Sequence, residues 1–88
     1  MKIQYEFIKR DIAGETFLVP LGDSAAKFKG IIAINEVASF VWDLLQDGKN
    51  EEEIVQAVFA EFEASEEEIR KDVSDFLGEL REMEILGE

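Results

Sequence analysis

Phe28-Lys29-Gly30-Ile31-Ile32-Ala33-Ile34-Asn35-Glu36-Val37-Ala38 is the stretch in which the chain changes its hydrophobic period. Up to Ile34 the residues are apolar and β-branched on both sides of an extended chain, the pattern of a strand. From Asn35 the period becomes helical. The Asn side chain can accept from backbone donors left free in a first turn, so Asn35 is a natural N-cap. Val37, Phe40, Val41, Leu44 and Leu45 then form an apolar stripe, with Glu36, Ser39, Asp43, Gln46 and Asp47 opposite, and Gly48 ends the helix. Trp42 lies one step off this stripe and is expected beside the core rather than as an exposed anchor.

Working back towards the N-terminus, Ile3, Tyr5 and Phe7 alternate with Lys2, Gln4 and Glu6, a half-buried strand. The parity shifts at Phe7-Ile8 and resumes through Arg10 to Ile12, which predicts a bulge or bend. Ala13-Gly14-Glu15 supplies a turn, and Thr16 to Val19 a second strand closed by Pro20 and Gly22. Asp23 to Ala26 reads as a loop before the third strand, Phe28 to Ile34.

Working forward, a second helix begins at Asn50 and is expected to bury Ile54, Val55, Val58, Phe59 and Phe62. A third begins at Ser65, with Glu68 placed for a capping box, and should bury Ile69, Val73, Phe76, Leu77, Leu80 and Met83. Ile85-Leu86 closes the chain. The fold class is therefore α+β: a three-stranded antiparallel sheet followed by three helices in one domain over residues 1–88. The two helix starts echo each other at an offset of fifteen residues (Asn50-Glu-Glu-Glu-Ile54 and Ser65-Glu-Glu-Glu-Ile69), which shared helix-start grammar explains.

Charge and composition narrow the function. Nine Lys and Arg stand against twenty-one Asp and Glu, a formal net charge of −12, with no Cys and no His. Thiolate metal sites, disulfides, a Cys nucleophile and a Ser-His-Asp triad are thereby excluded. Residues 1–49 hold seven acids and six bases, whereas residues 50–88 hold fourteen acids and three bases. Such a chain is poorly suited to neutralising phosphates, so no nucleic-acid partner is expected. No apolar run is long enough to span a membrane, and no signal-peptide block opens the chain, so the expected setting is cytoplasmic.

The triplets Glu51–Glu53 and Glu66–Glu68 sit in first helical turns, where negative charge complements the helix dipole. Consecutive helical carboxylates diverge, which suits no single ion. Asp72 lies nearest an apolar seam, and a capping or ion-pair role with its neighbours Arg70 or Lys71 accounts for it. The isolated glycines form no phosphate loop, and no His activates the serines. No catalytic residue, metal or cofactor is expected, and the chain reads as a binding module rather than an enzyme. The third strand is its sharpest feature. An apolar sheet edge invites aggregation unless it exists to receive another strand, and addition of an extended peptide to such an edge is a known binding mode.

Gly30-Ile-Ile-Ala-Ile-Asn35-Glu-Val-Ala38-x-Phe-Val-Trp42-x-Leu-Leu-x-x-Gly48 resembles the strand-to-helix segment of PqqD-like proteins. Glu53-Ile54-Val55, Asp72-Val73-x-x-Phe76-Leu77-x-x-Leu80 and the opening hairpin around Arg10 and Gly14-Glu15 are similar to that family as well, together spanning residues 7 to 86. The resemblance implies a winged-helix-like recognition element, a peptide chaperone in the making of ribosomally synthesised, post-translationally modified peptides. It implies that a precursor's leader peptide adds as a strand beside the third strand and packs on the third helix. The modifying enzyme served would commonly be a radical S-adenosylmethionine protein. Carried onto this chain, one wall of the groove would be Phe28, Lys29, Gly30, Ile31, Ile32, Ala33 and Ile34. The other would be Ile69, Asp72, Val73, Phe76 and Leu80. The acidic helical half would favour a leader with Lys or Arg near its anchors. The competing readings are a DNA-binding winged helix, which the acidic helices oppose, and a small structural protein dimerising through strand edges; the chain itself would be monomer or dimer.

Overall fold

In the computed structural model, which describes residues 1–87, the sheet-to-helix switch at Asn35 organises the rest of the chain. Position 88, the last of the expected domain, lies outside the described residues. The elements run β1 (Lys2–Ile3), β2 (Phe7–Ile12), β3 (Glu15–Pro20), α1 (Ser24–Lys27), β4 (Ile32–Ile34), α2 (Glu36–Gln46), α3 (Glu51–Glu61), α4 (Glu66–Glu82) and β5 (Leu86–Gly87). The antiparallel sheet β2-β3-β4 and the three long helices are the expected α+β arrangement.

The N-terminal strand differs from its sequence pattern. It is interrupted at Gln4–Glu6 rather than bulged at Phe7-Ile8, because its two halves serve different partners. β1 pairs antiparallel with β5, Ile3 opposite Leu86, and Gln4 N–H donates to the Ile85 carbonyl at 2.8 Å. β2 pairs with β3 through a two-residue turn in which Ala13 and Gly14 both have positive φ, at 53° and 84°. That is the turn geometry whose twist matches a hairpin. Ile3, Tyr5 and Phe7 all reach the core despite the break.

The expected loop at Asp23–Ala26 is instead the short helix α1, and it delays the third strand. Ser24 is buried and its Oγ accepts from the Glu6 N–H at 2.9 Å, fastening α1 across the break between β1 and β2. At the end of α1 Phe28 turns inward, its ring 5.1 Å from both Tyr5 and Phe7. Gly30 follows at φ 136°, a conformation side chains rarely tolerate. The strand therefore begins at Ile32, not Phe28. Its register places Ile32 opposite Leu18 and Ile34 opposite Thr16. Ile32 and Ile34 pack towards the core, whereas Ile31 and Ala33 are exposed on the other face, so only one face is covered.

The helices begin where their caps predict. The Asn35 side chain accepts from Ala38 N–H at 2.8 Å, and Ser65 Oγ from Glu68 N–H at 3.1 Å. Asn50 and Glu53 exchange both bonds of a capping box. Leu18, Val41, Ile54, Val58, Val73, Leu77 and Leu80 are fully buried, and Trp42 joins them edge-on to Phe7 at 6.0 Å. Phe59 departs from its expected burial: it is 44% exposed on the outer side of α3. The Lys9–Asp43 ion pair, 2.7 Å, ties β2 to α2 and seats the sheet on the helices.

Candidate functional site

β4 is the edge of its sheet. Among the described residues it pairs with β3 on one side alone, and its other edge opens on a groove of about 280 Å³ between β4, α2 and α4. Three elements build this groove for different local reasons. Extended Ile32–Ile34 offers backbone donors and acceptors along an unpaired edge. The first turns of α2, held by the Asn35 cap, supply an apolar floor through Val37, Ala38 and Val41. α4 forms the far wall with Asp72, Asp75, Phe76 and Glu79, which recur at the spacing of one helical face, and Met83 at its C-cap extends that wall. Phe76 and Met83 are half-buried, leaving part of each surface for an occupant.

The residues that sequence reasoning assigned to the groove divide into three groups. Ile32, Ala33, Ile34, Asp72 and Phe76 come together as its lining. Ile69, Val73 and Leu80 lie on the adjoining face of α4, buried in the core behind that wall. Phe28 packs into the aromatic cluster under the sheet, while Lys29, Gly30 and Ile31 are exposed ahead of β4. The α2 floor was not foreseen, because Val37 and Val41 carry the same stripe pattern as core. Asp75, Glu79 and Met83 were also missed, although counting three, seven and eleven residues on from Asp72 would have found them.

The electrostatics of α4 sort its acids. Arg70 does not reach Asp72; its guanidinium clamps Glu52 of α3 at 2.8 and 2.9 Å and Glu66 at 2.8 Å. These bonds hold the Glu52 carboxyl below its usual range and Arg70 above its own. Lys71 turns to Asp75, 2.9 Å away, and the bond raises the lysine's pKa. Among the described residues Asp72 forms neither the cap nor the ion pair expected of it, and it lines the groove. Within the Glu triplets, the Glu53 side chain closes the α3 capping box, and Glu52 and Glu66 form the α3–α4 clamp.

A free strand edge beside an acidic-apolar helix face, on a winged-helix-like α+β domain, is a surface able to receive an added strand. Residues 15–86 match the family model described as coenzyme PQQ synthesis protein D (PqqD), and the chain belongs to that family. A solved structure described as TbiB1 in complex with the TbiA(beta) leader peptide is 32% identical, with a TM-score of 0.74 over 98% of this chain and 94% of the other. No curated protein matches the chain significantly.

Proposed function

We propose that this protein binds the leader of a ribosomally made precursor peptide as an added strand on the free edge of β4, against α4. It then presents the peptide to a modifying enzyme of the radical S-adenosylmethionine class and performs no catalysis itself. The unpaired edge opening on the groove carries the reading: main-chain bonds along β4 supply affinity, and the pockets beside Phe76 and Val37 supply selectivity. Membership of the PqqD family and a shared fold with a chain solved on a leader peptide support it. The reading sets the protein in the cytoplasm, where ribosomal peptides first become available.

The test is an amide-shift titration of isotope-labelled protein with the leader encoded beside its gene. Shifts are expected at Ile32–Ile34 and along the Asp72–Met83 face. Shifts confined elsewhere would refute the groove. Adding the neighbouring modifying enzyme should convert the precursor faster when this protein is present, and equal rates with and without it would remove the presenting role.

A further inference from the structure

The two walls of the groove differ in chemistry. The β4 and α2 side is apolar apart from Asn35, whereas three carboxylates and no basic residue line the α4 side. Asp72, Asp75 and Glu79 follow one another at steps of three and four, so like charges face each other along one stripe of the helix. None lies in the first turn of α4, where the helix dipole would favour it, and Glu79 is close to the negative end. Lys71 bonds Asp75 directly and reaches Asp72 only through the longer-range attraction of their charges. Among the described residues Asp72 and Glu79 have no ion-pair partner, and the half-buried Phe76 lies between them. By contrast, Glu52 and Glu66 outside the groove share Arg70.

We infer that the peptide this groove accepts is basic, carrying Lys or Arg on either side of an apolar anchor so that the cations meet Asp72 and Glu79 while the anchor packs on Phe76. The inference rests on the peptide-binding reading and adds the charge pattern of the ligand. The spacing suits it. Asp72 and Glu79 are roughly 10 Å apart along the helix axis at about 1.5 Å per residue. Same-side residues of an extended peptide recur about every 6.7 Å, so an anchor flanked by bases two positions away on each side sets those bases about 13 Å apart, and their long side chains span the difference.

The probe is a random peptide library displayed on phage and panned against the folded protein at low salt. Recovered peptides are resynthesised, located by amide shifts and measured by fluorescence anisotropy. Peptides that move the Ile32–Ile34 and α4 amides should be enriched in Lys and Arg over the library. Their affinity should fall about three- to tenfold in the Asp72→Asn, Glu79→Gln double variant, the effect of losing two exposed ion pairs. It should fall comparably between about 50 and 500 mM salt. Replacing the peptide's bases by Gln should reproduce the loss with unaltered protein, and the off-groove pair Glu61→Gln, Glu63→Gln should leave affinity unchanged. Groove-binding peptides without basic enrichment, or indifferent to the double variant, would overturn the inference and leave the groove standing. Equal losses in the off-groove pair would overturn it too, by reducing the effect to net charge. If no peptide moves those amides, the groove reading fails and this inference with it.

Discussion

Replacing Leu80 and, separately, Phe76 by Ala tests which face of α4 is core and which is groove. Leu80 is fully buried between the helices, whereas Phe76, four residues earlier, is half-buried on the groove wall. Truncating a fully buried leucine costs about 3–5 kcal/mol, the lost transfer energy plus the cavity left behind. A chain of 88 residues unfolds with an entropy of roughly 0.18 kcal/mol/K, so each kcal/mol moves Tm by about 5–6 °C. Leu80→Ala should therefore lower Tm by about 15–25 °C, a large part of the roughly 4–13 kcal/mol that holds such a domain together. Phe76→Ala loses only its inward contacts, about 1–2 kcal/mol or roughly 5–10 °C. Its effect on peptide affinity should be the larger one, about tenfold or more, as for an aromatic anchor at the centre of an interface. Thermal denaturation followed by circular dichroism reads the first quantity. Leader binding by anisotropy, at a temperature where both variants are folded, reads the second. A Leu80→Ala protein that melts within a few degrees of the parent yet loses the peptide would refute the assignment of faces. So would a Phe76→Ala protein that loses as much Tm as Leu80→Ala and still binds.

Three further outcomes follow from the local chemistry. Ser24→Ala strips the acceptor from the Glu6 N–H and should cost about 1–3 kcal/mol, with earlier hydrogen exchange around Glu6 as the sign that α1 has come loose. Asn50→Ala removes the side-chain acceptor of the α3 capping box, leaving only the bond from the residue-50 N–H to Glu53, and should cost about 0.5–2 kcal/mol in urea denaturation, whereas Asn50→Ser should recover most of it. The clamp between Arg70 and Glu52 is pH-dependent in one direction. Because Arg70 lowers the Glu52 pKa, the stability it contributes is present above the unfolded carboxylate value of about 4.3 and is lost as pH falls through the lower folded value. Arg70→Met should thus flatten the fall in Tm below about pH 4.5 relative to the parent, and parallel curves for the two proteins would refute the clamp.

Helix starts were the most legible part of the chain, since Asn35, Asn50 and Ser65 act on backbone donors within their own first turns. Strand limits were less so. Phe28 looks like strand until Tyr5 and Phe7 are brought beneath it, and the N-terminal alternation continues across Gln4–Glu6 even though the pairing partner changes there. On α4, Val73 and Phe76 belong to the same apolar pattern, yet one is fully buried and the other lines a groove.

The sequence by itself determined the order of sheet and helices, the caps, the concentration of acid in the helical half and the presence of an apolar strand ahead of Asn35. All of these rest on residues near one another in the chain, where side-chain type and spacing act directly on the local backbone. Tertiary structure alone decided that β4 is a short edge, that α2 floors the groove, and that Arg70 reaches across to Glu52 of α3. Those outcomes depend on which distant surfaces cover one another. Arg70 is drawn to Glu52 eighteen residues away, while Asp72, two residues further along α4 and so on another face of the helix, lines the groove.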